Sequence, residues 1–257
     1  VIKNICVEIS DGVNPGSPLF GTVSGTLENI IITGGCSTNN GAGVYVNSGA
    51  LYLNSKASVS YNKMAAASKY AAGVYNNKGT LSLGNGSEIS YNGDETFLPN
   101  AGGLYSQNGK FYMEPGSEVH HNYANSGAGV KLNKPVDGYI HGAKIYSNEI
   151  RGASGNGGGL FVSSTNFVFE IKDTEIYSNK AYKGAGALVQ NALFNGTTIF
   201  KENEAYTGGG GLYSSDLEIT VTENVVFENN KAPDGSAIYV ENKVAKNELS
   251  DSFKFVN

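Results

Sequence analysis

The sequence predicts an all-β protein, a right-handed single-stranded parallel β-helix of about nine coils with three short strands per coil. Three observations lead to this prediction. A motif of small residues recurs eight times, a second motif that ends in asparagine recurs seven times in step with it, and no stretch of the 257 residues shows helical periodicity. The composition agrees, with 35 glycines and 16 tyrosines but no tryptophan.

The first motif consists of three small residues, an aliphatic residue and usually an aromatic one. Small residues let the backbone turn sharply and let neighbouring coils approach closely. A phosphate-binding loop would need a helix after the glycines, so we interpret them as architecture. The copies are 25 to 30 residues apart, at Gly41–Tyr45, Ala71–Tyr75, Ala101–Tyr105, Gly127–Lys131, Gly157–Phe161, Gly184–Leu188, Gly209–Tyr213 and Gly235–Tyr239.

The second motif is an apolar residue, two variable residues and an asparagine. One asparagine per coil predicts a stacked column at a turn, in which each amide donates and accepts hydrogen bonds. The alternative is a polar stripe that binds a ligand, and we favour the structural interpretation. The column consists of Asn62, Asn92, Asn122, Asn148, Asn179, Asn203 and Asn230.

Turns and strands fill the rest of each repeat. Glycine follows asparagine, proline or histidine at Gly86, Gly116, Gly142 and Gly196, where a tight turn needs a positive φ. Short alternating stretches such as Leu51–Leu53 predict strands with one buried face. Three such strands cannot bury their inner faces alone, so the repeats must stack, with right-handed crossovers. At about 4.8 Å per coil, nine coils give a rod roughly 40 to 45 Å long.

The whole chain, residues 1–257, is predicted to be one domain. Residues 1–40 form degenerate coils with a loop at about 11–25, residues 41–240 form regular coils, and residues 241–257 form an incomplete coil whose end resembles another third strand. The longest insertions, 63–70 and 93–100, follow the asparagine motif. Variation confined to one corner predicts a recognition face there. We also expect the chain to be a fragment of a longer solenoid.

Charge and composition exclude several classes of function. The net charge is −5 and the single arginine lies outside any basic cluster, which excludes a nucleic-acid binder. No apolar run approaches the roughly 18 to 20 residues that a membrane helix needs, so this segment is not expected to insert into a membrane. The three histidines, His120, His121 and His141, lack the spacing of metal ligands and are expected to be ordinary surface residues. No cofactor is expected.

One aromatic residue per coil defines what we call the aromatic column. The aliphatic residue before it points inward, so alternation sends the aromatic ring outward. Such a column either stacks across the coils and stabilises the sheet or offers a surface for sugar or protein. We favour stacking. The column consists of Tyr45, Tyr75, Tyr105, Phe161, Tyr213 and Tyr239.

A charged column lies just before the apolar residue of the second motif, at Glu88, Glu118, Lys144 and Glu175. Glu88 and Glu118 on adjacent coils would have the spacing of a glycosidase carboxylate pair. Because a lysine follows them, we favour a solvated salt-bridge ladder.

Two cysteines and two glycosylation sequons complete the candidates. Cys6 and Cys36 are predicted to occupy nearly equivalent places on the first two coils, so either a cross-coil disulfide or two free thiols fits the sequence. The sequons at Asn85 and Asn195 coincide with the turn positions, and turn chemistry explains them without glycosylation.

The paired motifs resemble the repeats of the chlamydial polymorphic outer membrane proteins, over about residues 30–240. The asparagine half matches the family's form literally at Phe200–Asn203 and Phe227–Asn230, whereas only Gly235–Ile238 comes close to the glycine half. The resemblance implies a surface-exposed passenger of an autotransporter, implicated in adhesion. The family's C-terminal outer-membrane barrel is absent from this sequence, which leaves the export route open.

The sequence therefore predicts an extracellular or cell-surface adhesin-like passenger that binds a host or neighbouring-cell protein or glycan. A filament or sheath subunit that associates end to end is the first alternative. A polysaccharide lyase or hydrolase of the pectin-lyase-like fold is the second. It is disfavoured because the seven aspartates include no Asp-Asp pair and the one arginine lies in a variable loop.

Overall fold

The computed structural model describes residues 2–3, 6–8, 20–164, 166–215, 219–241 and 253–256. Every element in these residues is a β-strand, and the strands stack in parallel into a β-solenoid of about eight turns. The predicted parallel β-helix is confirmed. Three faces of stacked strands run along the rod, and we call them the first, second and third faces in the order in which each coil enters them.

The first two faces form one continuous sheet because two long strands, Phe20–Glu28 and Val44–Asn54, contribute to both. The first face continues with Val74–Asn77, Leu104–Gln107, Val130–Asn133, Leu160–Ser163, Ala187–Val189, Leu212–Ser214 and Ile238–Val240. The second face contains Ile2–Lys3, Thr80–Leu83, Lys110–Met113, Asp137–His141, Phe169–Lys172, Ala192–Asn195 and Ile219–Val221.

The third face is a sheet of ten strands that precede the asparagine position. They are Cys6–Glu8, Ile31–Thr33, Ser58–Ser60, Glu88–Ser90, Glu118–His120, Lys144–Tyr146, Glu175–Tyr177, Thr198–Lys201, Val225–Glu228 and Phe253–Val256. The last of these strands confirms that the end of the sequence contributes a third strand.

A short fourth strand, which the sequence did not predict, follows the asparagine in most coils. These corner strands form two small sheets, one of Cys36–Ser37 and Lys63–Met64, the other of Tyr123–Ala124, Glu149–Ile150, Lys180–Lys183 and Glu204–Gly208. Small side chains such as Ala124 and Ala181 are buried behind the four-stranded corner sheet, where they let the chain turn closely.

One continuous apolar core fills the solenoid, because each face sends alternate side chains inward. On the third face the apolar residue of the second motif is at most 2% exposed in every coil from Ile32 to Phe227. Close packing at the first motif depends on glycine: a Cβ added to Gly73 would lie 2.3 Å from the carbonyl oxygen of Gly103 on the next coil. The predicted positive φ is present at the turn glycines, for example 73° at Gly86.

The N-terminal coils differ from the prediction in the position of the expected loop. The expected loop at about 11–25 is wrong in its second half, since Phe20–Glu28 is a strand that pairs with Val44–Asn54, and residues 11–19 lie outside the described part. Ile2–Lys3 pairs with Leu27 and Glu28 on the second face.

The backbone register also separates the two cysteines. Cys6 lies opposite Ile31 on the third face, whereas Cys36 lies opposite Lys63 in a corner strand, and Cys36 is a free thiol. The expectation of equivalent positions, and with it the cross-coil disulfide, is therefore wrong. The corner strand explains the difference, because it places Cys36 five residues further along its coil than the partner of Cys6.

Candidate functional site

The asparagine column forms a continuous ladder of hydrogen bonds along one edge of the third face. Asn122 shows the pattern: its Nδ2 donates to Asn148 Oδ1 at 3.0 Å, and its Oδ1 accepts the backbone N–H of Asn92 at 3.0 Å. The same links join Asn62 to Asn92 and continue to Asn230. The ladder amides from Asn62 to Asn203 are at most 1% exposed, so no ligand reaches them and their role is structural.

The aromatic column is covered rather than open. Tyr75 and Tyr105 stack at 5.7 Å and are 6% and 4% exposed, and Tyr213 is 2% exposed. Tyr70, from the 63–70 insertion, folds back onto this stack, with its ring 4.8 Å from that of Tyr105. The alternative of an open aromatic binding surface therefore does not fit these central rings. The stacking interpretation fits the contacts.

Lysine continues the aromatic column where the sequence lacks an aromatic residue. The ammonium of Lys131 lies 5.8 Å from the centre of the Tyr105 ring and 5.2 Å from that of Phe161, and it donates to Ser126 Oγ at 3.1 Å. Burial lowers the pKa of Lys131 to about 8. Burial also raises the pKa of Tyr75 to about 12. The column is thus a packed, partly desolvated element of the wall.

The charged column lies in register on the third face, but its side chains do not form the expected salt-bridge ladder. Glu88 stands opposite Glu118, and Glu118 opposite Lys144. Glu118 accepts a hydrogen bond from Tyr146 Oη at 3.0 Å, while Glu88 contacts His120, and within the described residues Lys144 forms no ion pair. Each carboxylate instead contacts a ring on the next coil, two positions beyond the residue that lies opposite it. This ring is His120 for Glu88 and Tyr146 for Glu118.

A surface of rings covers the outside of the third face, and the sequence did not predict it. It has two adjacent columns, which we call the tyrosine–histidine surface. The first contains Tyr61, Tyr91 and His121, with ring centres 4.9 and 4.8 Å apart. The second contains His120, Tyr146 and Tyr177, with ring centres 4.5 and 4.8 Å apart.

Backbone conformation presents the first of these columns to solvent. The residue just before the asparagine has a left-handed conformation in every regular coil, with φ between 51° and 55°, although none is glycine. This conformation is uncommon in residues other than glycine, asparagine and aspartate. The turn sends the side chain outward, and Tyr61 is 62% exposed. The residues in this position are Tyr61, Tyr91, His121, Ser147, Ser178, Glu202 and Asn229.

Three polar side chains form a connected relay at the centre of the surface. His120 Nε2 lies 3.2 Å from Glu88 Oε1, and the Nδ1 atoms of His120 and His121 lie 2.8 Å apart. A hydrogen bond at that distance requires one nitrogen to carry a proton and the other to accept it. The hydrogen bond from His120 holds the pKa of Glu88 below its ordinary value. The pKa of His121 is lowered, mainly by burial and secondly by the charge of His120.

A shallow hollow of about 280 Å³ lies on the third face where the second ring column ends. It has an aromatic ring, an aliphatic side chain and several polar groups around one space. The lining residues are Glu175, Tyr177, Ser178, Ile199, Lys201 and Glu202.

The corner insertions form an ordered set of loops. Asp94 Oδ1 accepts the N–H groups of Thr96 at 3.0 Å and Phe97 at 3.2 Å, and Glu95 is paired with Arg151. The Arg151 guanidinium also lies over the ring of Tyr123, 3.9 Å from its centre. These contacts hold the tip of 93–100 against the neighbouring coils and leave Phe97 38% exposed.

Two further kinds of site are absent from the described part of the chain. No group of three or more histidine, cysteine, aspartate and glutamate side chains there converges to hold a metal ion. Nor do those residues include a helix with the length and apolarity required to cross a bilayer. His141, the remaining histidine, contacts Glu170 Oε2 at 3.1 Å on the second face.

The fold, the asparagine ladder and the repeated turn define a parallel β-solenoid repeat protein. The family model of the Chlamydia polymorphic membrane protein repeat matches residues 224–241, which include Asn230 and the strand Ile238–Val240. The chain is thus a β-helix similar to the polymorphic outer membrane proteins. Searches of curated proteins and of solved structures each found no match.

Proposed function

We propose that the protein is an adhesin-like passenger displayed outside the cell, where it binds a host or neighbouring-cell protein or glycan. The observation that carries this proposal is the repeat match at residues 224–241 within a solenoid whose other coils share the same architecture. Polymorphic membrane proteins are not an enzyme family, and the family suggests the outer membrane or the cell surface.

The solenoid suits this role because the residues that hold the coils together differ from the residues that are exposed to a partner. The core and the asparagine ladder fix the coils, while the corner loops and the outside of the third face remain free to contact a partner. The aromatic column is a poorer candidate for contact, since Tyr70, Tyr75 and Tyr105 cover one another. We therefore place recognition at the loop corner and on the tyrosine–histidine surface.

The 93–100 loop is suited to recognition of a protein partner. A side chain that is already held in its bound conformation loses little entropy on binding. The backbone that carries Phe97 is held in this way, because Asp94 accepts its N–H and the Glu95–Arg151 pair holds the loop tip against the neighbouring coils. Aromatic side chains supply much of the binding energy at protein interfaces.

An adhesion assay tests the proposal. Beads coated with the purified chain are added to cultured host cells, and bound beads are counted against beads coated with albumin. We expect the chain to adhere, and Phe97→Ala to reduce bead binding severalfold. Val168→Ala is the matched control, since Val168 is 49% exposed at a different corner and should leave binding unchanged.

Display is tested on intact cells of the source organism with an antibody against the chain and with added protease. Labelling and cleavage without lysis support the proposal. Labelling that requires lysis contradicts it, as does equal adhesion of chain-coated and albumin-coated beads.

A further inference from the structure

The hollow on the third face lies between the outward side chains of two adjacent coils. Glu175 stands opposite Ile199, and Tyr177 stands opposite Lys201. Ser178 and Glu202 follow in the left-handed position of the same two coils. The hollow is therefore built by the regular register of the solenoid, and one coil supplies each wall.

The ring of Tyr177 ends the second ring column and borders this space. One face of the ring stacks on Tyr146, with centres 4.8 Å apart and an interplanar angle of 3°. Its other side faces the next coil, where the equivalent residue is Lys201 instead of a further ring. The ammonium of Lys201 lies 3.4 Å from Glu228 and 3.8 Å from Glu202, so acidic partners already hold it.

Apolar and polar groups in the hollow are arranged for an amphipathic ligand. Tyr177 and Ile199 offer apolar surface, while Glu175, Ser178 and Glu202 offer acceptors and a hydroxyl donor. The hydrogen bond from Ser178 Oγ to Glu202 Oε2 is long, at 3.4 Å, and a ligand hydroxyl can replace it. The carboxylates of Glu175 and Glu202 disfavour binding of an anion in the hollow, because the only lysine there, Lys201, is already paired.

We propose that this hollow binds one uncharged pyranose ring of a glycan, stacked on Tyr177. A pyranose has an apolar face of C–H groups and a rim of hydroxyls, which matches a ring beside convergent polar side chains. The inference rests on the proposed function and deepens it, because it names the ligand class and the subsite.

The test is a titration of the whole chain, followed by saturation-transfer NMR, with a panel of methyl pyranosides of glucose, galactose and N-acetylglucosamine. Methyl glucuronide serves as the charged probe. We expect one or more neutral pyranosides to bind at millimolar concentration and the glucuronide to bind at least severalfold more weakly. Tyr177→Ala should weaken binding about threefold to tenfold, the size expected for loss of an aromatic stacking partner.

Two variants separate stacking from a fold defect. Tyr177→Phe keeps the ring and should retain binding within about twofold. Tyr52→Ala removes an exposed ring from the second face, away from the hollow, and should leave sugar binding unchanged.

Equal binding by the wild-type chain and Tyr177→Ala overturns the proposal, and so does the absence of binding by every neutral pyranoside. If the wild-type chain still adheres to host cells in either case, the subsite is wrong and the adhesin-like function stands. Sugar binding in the hollow without any adhesion contradicts the proposed function and leaves the subsite in place.

Discussion

Replacement of one interior ladder residue, Asn122→Ala, is expected to destabilise the fold strongly. The fully buried side chain makes five hydrogen-bond contacts, and the two protons of its Nδ2 are shared among three acceptors. Its Nδ2 donates to Asn148 Oδ1, Ile89 O and His120 O at 3.0, 3.0 and 2.9 Å. Its Oδ1 accepts from both the backbone N and the Nδ2 of Asn92 at 3.0 Å. Alanine removes all five and leaves the backbone N–H of Asn92 buried without this acceptor.

The magnitude follows from those contacts. A typical hydrogen bond contributes about 0.5 to 1.5 kcal/mol net, and an orphaned buried donor costs about 1 to 3 kcal/mol. Part of the loss is offset, because Asn92 Nδ2 keeps its bond to Val59 O and Asn148 Oδ1 keeps the N–H of residue 122. We therefore expect the free energy of unfolding to fall by about 3 to 5 kcal/mol.

The assay is equilibrium unfolding in urea followed by circular dichroism, with linear extrapolation to water. The matched control is Asn77→Ala, because Asn77 also bonds to an asparagine one coil away, Asn47, at 3.2 Å, but in an exposed position. Its effect should stay within about 0.5 kcal/mol. A loss below about 1.5 kcal/mol for Asn122→Ala, or equal losses for the two variants, would refute the ladder's energetic role.

Three further changes have expected outcomes. The pKa of His121 is lowered in the fold, so the unfolded chain binds more protons than the folded chain, and the free energy of unfolding should decline as the pH falls below about 6.5. Asparagine tolerates the left-handed backbone, and His121→Asn should therefore flatten that decline in urea titrations from pH 7 to 5. Tyr105→Ser should cost about 3 kcal/mol by thermal and urea unfolding, because the 4%-exposed ring stacks on Tyr70, and a loss under about 1 kcal/mol contradicts this. Arg151→Ala should speed proteolysis within 93–100 severalfold without changing global unfolding; unchanged cleavage would mean that the guanidinium does not hold the loop.

The periodic features of the fold could be predicted from the sequence. Asn122 recurs at a fixed place in each coil, and a residue that recurs at one position of a stacked repeat must meet its own copies. The inward apolar residues and the turn glycines such as Gly86 follow from the same reasoning. These residues act through the backbone register, so the local pattern is sufficient to place them.

The parts that could not be predicted depend on contacts outside the repeat. Tyr70 covers the aromatic column from an insertion, so alternation correctly sent Tyr105 outward but could not reveal its burial. The corner strand shifts Cys36 away from the position of Cys6. The left-handed position before the asparagine varies in residue type, for example tyrosine at Tyr91 and histidine at His121, so no composition signal marks the exposed rings.

The relay of Glu88, His120 and His121 was hidden for a related reason. The sequence places Glu88 before one motif and the histidines in the variable positions of the next, 32 and 33 residues away. Only the coil register brings His120 opposite Ser90 and within 3.2 Å of Glu88. A search of the aligned repeats for chemistry shared between adjacent coils, rather than within one coil, would have found it.

The most direct test of the in-register solenoid is NMR detection of scalar couplings across hydrogen bonds in a ¹⁵N,¹³C-labelled chain. We predict a coupling from the backbone nitrogen of Asn92 to the side-chain carbonyl carbon of Asn122, and from Asn122 to Asn148, because these pairs lie 3.0 and 3.1 Å apart. Couplings from these nitrogens to backbone carbonyls only, or rapid exchange of their amide protons with water, would contradict the stacked ladder on which the account depends.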